Sequence, residues 1–231
     1  MTSKIEQAFC AIGADLFEET AGGVFEIGLR QIDGRESFQL TYPWLNELRV
    51  EALDVKPKQR HLVLDVTGEG LPTIGRYLCG HDERHWFVAT LPILERTTTV
   101  RGAMEALKPE VVLRAQQRLG VKSRLHRRKT AAYVRQGEWF FLPRPMMHVG
   151  DKAVAGGQLV RSGGKPHLVQ WLYRPKDSNE TFVRGAVSHP DHATLYLQVW
   201  HRVVLNNEVR PEREGHTTRK AAILARMTYL D

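Results

Sequence analysis

Cysteine is scarce in this sequence. Its 231 residues include two, Cys10 and Cys79, too few for a disulfide framework and in keeping with a reducing cytoplasm. Long apolar runs are missing too. No stretch approaches the roughly 18 residues that a membrane-spanning helix needs, so no membrane association is expected. The opening residues, MTSKIEQAFCAIGADLFEET, lack a basic segment followed by an apolar core, which argues against a secretory signal. Several catalytic and nucleotide-binding patterns are absent as well. There is no G-x-S-x-G, H-E-x-x-H or G-x-G-x-x-G, and S-G-G-K-P-H at 162–167 lacks the spacing of a phosphate loop. That segment reads as a turn, with Lys165 and His167 available for phosphate contact.

The chain is 42% hydrophobic and 26% charged, an ordinary globular composition. Its charge is unevenly divided. Residues 1–115 carry 13 Lys+Arg against 17 Asp+Glu, a balance of −4, and residues 116–231 carry 20 against 9, a balance of +11. Seven of the ten histidines also lie in the second part. Segregated positive charge points to a polyanionic partner.

The periodicities predict an α+β fold, mostly antiparallel β with N-terminal, central and C-terminal helices. Residues 3–20 carry Ile5, Phe9, Ile12 and Leu16 at helical spacing. Asp33-Gly34 marks a tight hairpin, and short β-branched and aromatic runs continue to residue 91. A central helical zone spans 99–119. AAYVRQGEWFFLP, HLVQWLYR, TFVRGAV and TLYLQVWHRVVL read as strands, and TTRKAAILARMTYL as a basic amphipathic helix. Two subdomains are expected: an acidic helix plus antiparallel β-meander over 1–115, and a basic β-rich unit with a C-terminal helix over 116–231.

Three features carry chemistry. The first is the stretch 184–207, which reads as a hairpin with His189 and His192 in its turn and His201 on the return strand. His201 lies about 30 Å from the tip in an extended strand and shares a face with Leu195, Leu197, Val199 and Val203, so it is expected in the core. Tyr196, Gln198, Trp200 and Arg202 face the other way, either as an exposed aromatic–basic surface or as a second core layer. His189 and His192, with Arg184 nearby, are the catalytic candidates, as two metal ligands or an acid–base pair; equally, they suit a polar turn. The second feature is CGHDERHW at 79–86. Cys79, His81 and His85 are ligand types that zinc uses, though a fourth ligand must come from elsewhere. If this tip and the 188–193 tip converge, their histidines and acids form one pocket. The third is the run Lys122, Arg124, Arg127, Arg128, Lys129, five cations in eight residues. With Arg161, Lys165 and Arg202 it forms the expected nucleic-acid surface.

These features imply a nucleic-acid-binding protein, RNA or single-stranded DNA being favoured over duplex, working in the cytoplasm and in a nucleoprotein assembly. The alternatives are a nuclease-type hydrolase using the loop histidines with a metal or as acid and base, and an interaction subunit for an acidic protein partner. A divalent metal such as zinc is the cofactor the residues admit.

Overall fold

The computed structural model describes residues 3–21, 23–44, 48–68, 71–92, 97–121, 127–161 and 165–209. It is α+β and mostly antiparallel. Ser3 caps α1 (Lys4–Ala11), its Oγ accepting the Glu6 amide at 3.0 Å, and the helix buries Ile5 and Phe9. The helix stops well before the residue 20 expected from its spacing. Gly13, at φ +77°, turns the chain out, and Leu16–Thr20 form β1. β1 runs parallel to β3 (Arg35–Tyr42), which pairs antiparallel with β2 (Glu26–Ile32). Asp33 and Gly34 both have positive φ at that turn, as a two-residue hairpin requires.

A four-stranded meander follows: β4 (Leu48–Lys56), β5 (His61–Gly68), β6 (Leu71–Asp82) and β7 (His85–Thr90), each pairing with the next. Alternate residues feed two cores. Leu62, Leu64 and Cys79 pack with Phe9 and Phe38 beneath α1 and the first sheet. Val63, Leu78 and Ala89 pack under α2 (Val100–Ala106).

The expected central helix is two helices, because the residue before a proline is pushed out of the helical region. α2 ends ahead of Pro109, and α3 (Glu110–Arg118) begins after it. α3 also changes partners. Its Val112 and Ala115 pack on Ala132, Tyr133, Phe140 and Leu142 of the second half.

The second half forms one antiparallel sheet: β8 (Val134–Gln136), β9 (Trp139–Pro143), β10 (Val154–Leu159), β11 (His167–Tyr173), β12 (Thr181–His189) and β13 (His192–Leu205), in the order β10-β11-β12-β13-β9-β8. AAYVRQGEWFFLP is therefore a hairpin and not one strand, turning at Gly137, φ +55°. In β13 a bulge opposes Leu197–His201 to only Gly185–Val183 of β12. The extra residues break strict alternation, so Trp200 and His201 are both buried. Trp200 joins Val149 and Phe182 as core, and His201 Nδ1 lies 2.8 Å from the Val199 carbonyl. Among the described residues no helix is long and apolar enough to cross a membrane. The expected C-terminal helix lies outside them.

Candidate metal centre

Three neighbouring strands each contribute one histidine to the same level of the sheet. His189 and His192 are cross-strand partners on β12 and β13, and Leu168 opposite Ser188 sets His167 beside His189. The His167 and His189 rings stack at 4.2 Å between centroids, His189 and His192 lie 4.9 Å apart, and His167 and His192 lie 6.0 Å apart. One ring nitrogen from each lies within 4.8 Å of the others, a spread that a single ion can bridge after small side-chain adjustments.

Two other hairpins enclose these rings. Although β8 and β9 occupy the far edge of the sheet, their turn lies against the cluster. Trp139 is 6.3 Å from the His167 ring, and Gln136 Nε2 donates to the Ala193 carbonyl at 2.6 Å. A Cβ at Gly137 would stand 3.0 Å from His192 Nε2 and 3.7 Å from His167 Nε2. Glycine thus leaves free the space toward which both nitrogens face, and it also tolerates the positive φ. The β6–β7 tip arrives from the other side. Glu83 Oε2 accepts the Ala193 amide at 2.8 Å and lies 3.5 Å from His192 Nδ1. His85 Nε2 is 3.6 Å from Asp191 Oδ1, while its Nδ1 meets Glu36 at 2.9 Å. The two hairpin tips therefore meet, joined by carboxylates and imidazoles.

Burial decides the protonation of the rings. His167 is 1% exposed. Its pKa is pushed down to about 3, by burial first and then by His189 and His192. His192 is pushed down to about 4, again by burial first and then by His189 and Arg128. Both rings are neutral at pH 7, the form that ligates metals. Among the described residues neither ring nitrogen of His167 has a hydrogen-bond partner, nor has His192 Nδ1, which lies 3.5 Å from Glu83 Oε2. A buried polar atom left unpaired costs about 1–3 kcal/mol, so His167 is expensive as mere packing. His189 differs in accepting the Asp191 amide through Nδ1 at 3.2 Å. On binding an ion it would exchange that bond at Nδ1 or change tautomer to use Nε2.

The other expected site residues lie elsewhere or are already engaged. Cys79, His81 and His85 do not assemble into a ligand set. Cys79 is sealed in the first core, where burial pushes its thiol pKa up; His81 packs edge-on against Trp86 at 4.9 Å; His85 is paired with Glu36. Arg184 sits opposite Trp171 on β12, five residues and roughly 15 Å along the strand from His189, outside the cluster. Arg128 grips Asp82 and Glu83, Lys165 holds Asp191 at 2.8 Å, and Arg202 holds Glu180 at 3.0 Å. Arg161 is a largely buried cation bonded to Glu208 at 2.7 Å and Asn206 at 3.1 Å. The Arg127 side chain is exposed and lines a small cleft beside Tyr133 and Gly137, and Lys129 bridges to Val134. Lys122 and Arg124 lie outside the described residues.

Sequence reasoning offered His167 only for phosphate contact and missed its place beside His189 and His192. Nothing in its own segment marks it; only the pairing of β11 with β12 brings it to His189. Comparison of the chain with protein-family models, with curated proteins and with solved structures gives no match.

Proposed function

We propose that the protein is a metal-dependent hydrolase whose centre is a single divalent transition-metal ion held by His167, His189 and His192, and that its substrates are phosphodiesters of nucleic acid in the cytoplasm. The observation that carries this reading is His167: an inward-facing imidazole with both nitrogens unpaired, stacked among two further histidines. Neutral nitrogen donors suit zinc and its neighbours. Three protein ligands leave a fourth position for water, the arrangement of catalytic rather than structural zinc sites. A bound ion lowers the pKa of that water to about 7. When bound, the ion would supply an acidified water for hydrolysis of a P–O ester bond, and His167, His189 and His192 would hold it as its nitrogen donors. Glu83, beside His192 Nδ1, is where a carboxylate orienting a ligand imidazole belongs. The balance of +11 over residues 116–231 favours a polyanionic substrate.

Metal analysis of the purified protein, with cobalt absorption after exchange, tests the centre. One ion per chain in the parent and none in His167→Ala is the expected result; equal metal in both, or none in either, removes the reading. Incubation of the loaded protein with labelled RNA and DNA tests the reaction. Bound metal with every substrate intact would leave a structural ion and end the hydrolase assignment.

A further inference from the structure

The outer face of the strands that carry the histidines is divided. At one end the chain covers its own aromatics: Met147, Val149 and Ala153 lie over Phe182, Trp200 and Tyr173. Toward the histidine end the same face stays open. Trp171 is 37% exposed and Tyr196 78% exposed. Between them Gln170, Arg184, Gly185 and Gln198 complete an open hollow of about 260 Å³. That is below the roughly 300–1,000 Å³ of pockets for drug-sized ligands and suits one flat ring.

Its floor is built to stay low. Gly185, at φ +85°, lies at the β12–β13 bulge, and the Gln170 side chain folds over it, Oε1 accepting the Ala186 amide at 3.0 Å. A side chain at residue 185 would collide with Gln170. Arg184 is cross-strand to Trp171. Unlike Arg128, Arg135, Arg161 and Arg202, which all hold carboxylates, Arg184 makes no ion pair among the described residues. The hollow thus combines two exposed rings, amide side chains and one uncommitted guanidinium.

We infer that this hollow binds an unpaired base of single-stranded nucleic acid, the base stacking on Tyr196 or Trp171 while Arg184 meets the adjacent phosphate. Aromatic rings accept any base face, and arginine supplies the charge that an otherwise apolar contact lacks. The surrounding half of the chain has the complementary sign, at +11. A duplex keeps its base faces stacked internally and offers nothing to these rings. The inference stands apart from the metal centre, because the hollow contains none of the three histidines.

The test is titration of fluorescein-labelled 15-nucleotide oligo-U and oligo-dT in EDTA at low salt, followed by fluorescence anisotropy. Saturable binding that weakens steeply with salt is expected. Tyr196→Ala and Trp171→Ala should each weaken it by about 5- to 100-fold, while Tyr196→Phe should bind like the parent. Arg184→Ala should reduce the magnitude of the salt slope by about one. Circular dichroism confirms that each variant is folded, and Tyr196, being the more exposed, is the safer of the two aromatic changes. Absence of binding at low salt, binding untouched by Tyr196→Ala, or equal binding of a duplex overturns the inference. An acidic peptide that binds in place of the oligonucleotides would mean that the face docks protein. With EDTA present throughout, failure here leaves the metal reading intact, and loss of the metal reading leaves this result standing.

Discussion

Two histidine-bearing hairpin tips meet in this molecule, and they differ in how their polar groups are satisfied. At the β6–β7 tip both acids have a cation or amide, Asp82 with Arg128 and Arg135 and Glu83 with Arg128 and the Ala193 amide, and His85 has the Glu36 carboxylate. At the β12–β13 tip, with His167 beside it, the imidazoles stack on one another, and among the described residues His167 makes no hydrogen bond at either nitrogen. Both tips read alike in sequence, as polar turns rich in histidine. Accounting for partners separates them: the first is a clasp of ion pairs, and the second is a group of stacked imidazoles that the clasp braces.

The largest way to break that contrast is to remove a ligand. His167→Ala should weaken zinc or cobalt binding by well over 100-fold, beyond the 10- to 100-fold typical of groups that merely orient a ligand; competition with a chromogenic chelator reads this. Glu83→Gln should fall inside that orienting range, because it keeps the shape of the clasp and removes the charge beside His192 Nδ1. An effect as large as that of His167→Ala would make Glu83 a ligand.

Gly137→Ala sharpens the geometry. It sets a methyl against His192 Nε2 and asks alanine to adopt φ +55°. A stability loss of about 1–2 kcal/mol by chemical denaturation is expected, together with a drop in metal affinity. Loss of stability without loss of metal would move the ion away from this turn.

Acid gives a graded test on chelator-treated protein. His167 and His192 bind protons near pH 3 and 4 when folded and near 6.5 when unfolded. The unfolded state therefore takes up more protons below 6.5, and stability falls as pH drops from about 6.5 toward 4. His201, also lowered by burial, acts in the same direction. Urea midpoints that stay flat across this range would show that the rings are not held neutral by burial. The smallest effect belongs to the clasp's own histidine. His85→Ala should change metal affinity by less than about three-fold, since its partners are Glu36 and, at 3.6 Å, Asp191.

Much of the fold was legible because local signals set it. Asp33-Gly34 demands its turn, the near-continuous apolar runs at 62–66 and 77–79 suit strands buried on both faces, and Ser3 starts its helix. Leu16 misled because a residue four after Ile12 fits a helix as well as a strand, and Gly13 decides between them. The 131–143 run concealed a hairpin because Gly137 turns it in only two residues. The site was half legible. His189 and His192 announce themselves by spacing, but His167 and Gly137 enter through strand register and the curl of the sheet, which no local pattern encodes. Of the two settings open to Trp200, exposed beside Tyr196 or in a second core layer, the β13 bulge gives the buried one. The open face is instead completed by Trp171 and Arg184 from neighbouring strands.

The hydrogen bond from the Ala193 amide to Glu83 joins residues 110 apart in the chain. Contacts of such separation form only after the intervening chain has been organised, since closing a long loop is entropically unfavourable until many other contacts reward it. The clasp therefore ties together residues far apart in the chain, and the setting of His192 beside Glu83 depends on both halves. A nascent chain would expose three loosely spaced histidines with little hold on any ion, while the completed protein offers a shaped site. Loading with metal would then report the integrity of the whole chain, the acidic first half included, even though all three ligands belong to the second.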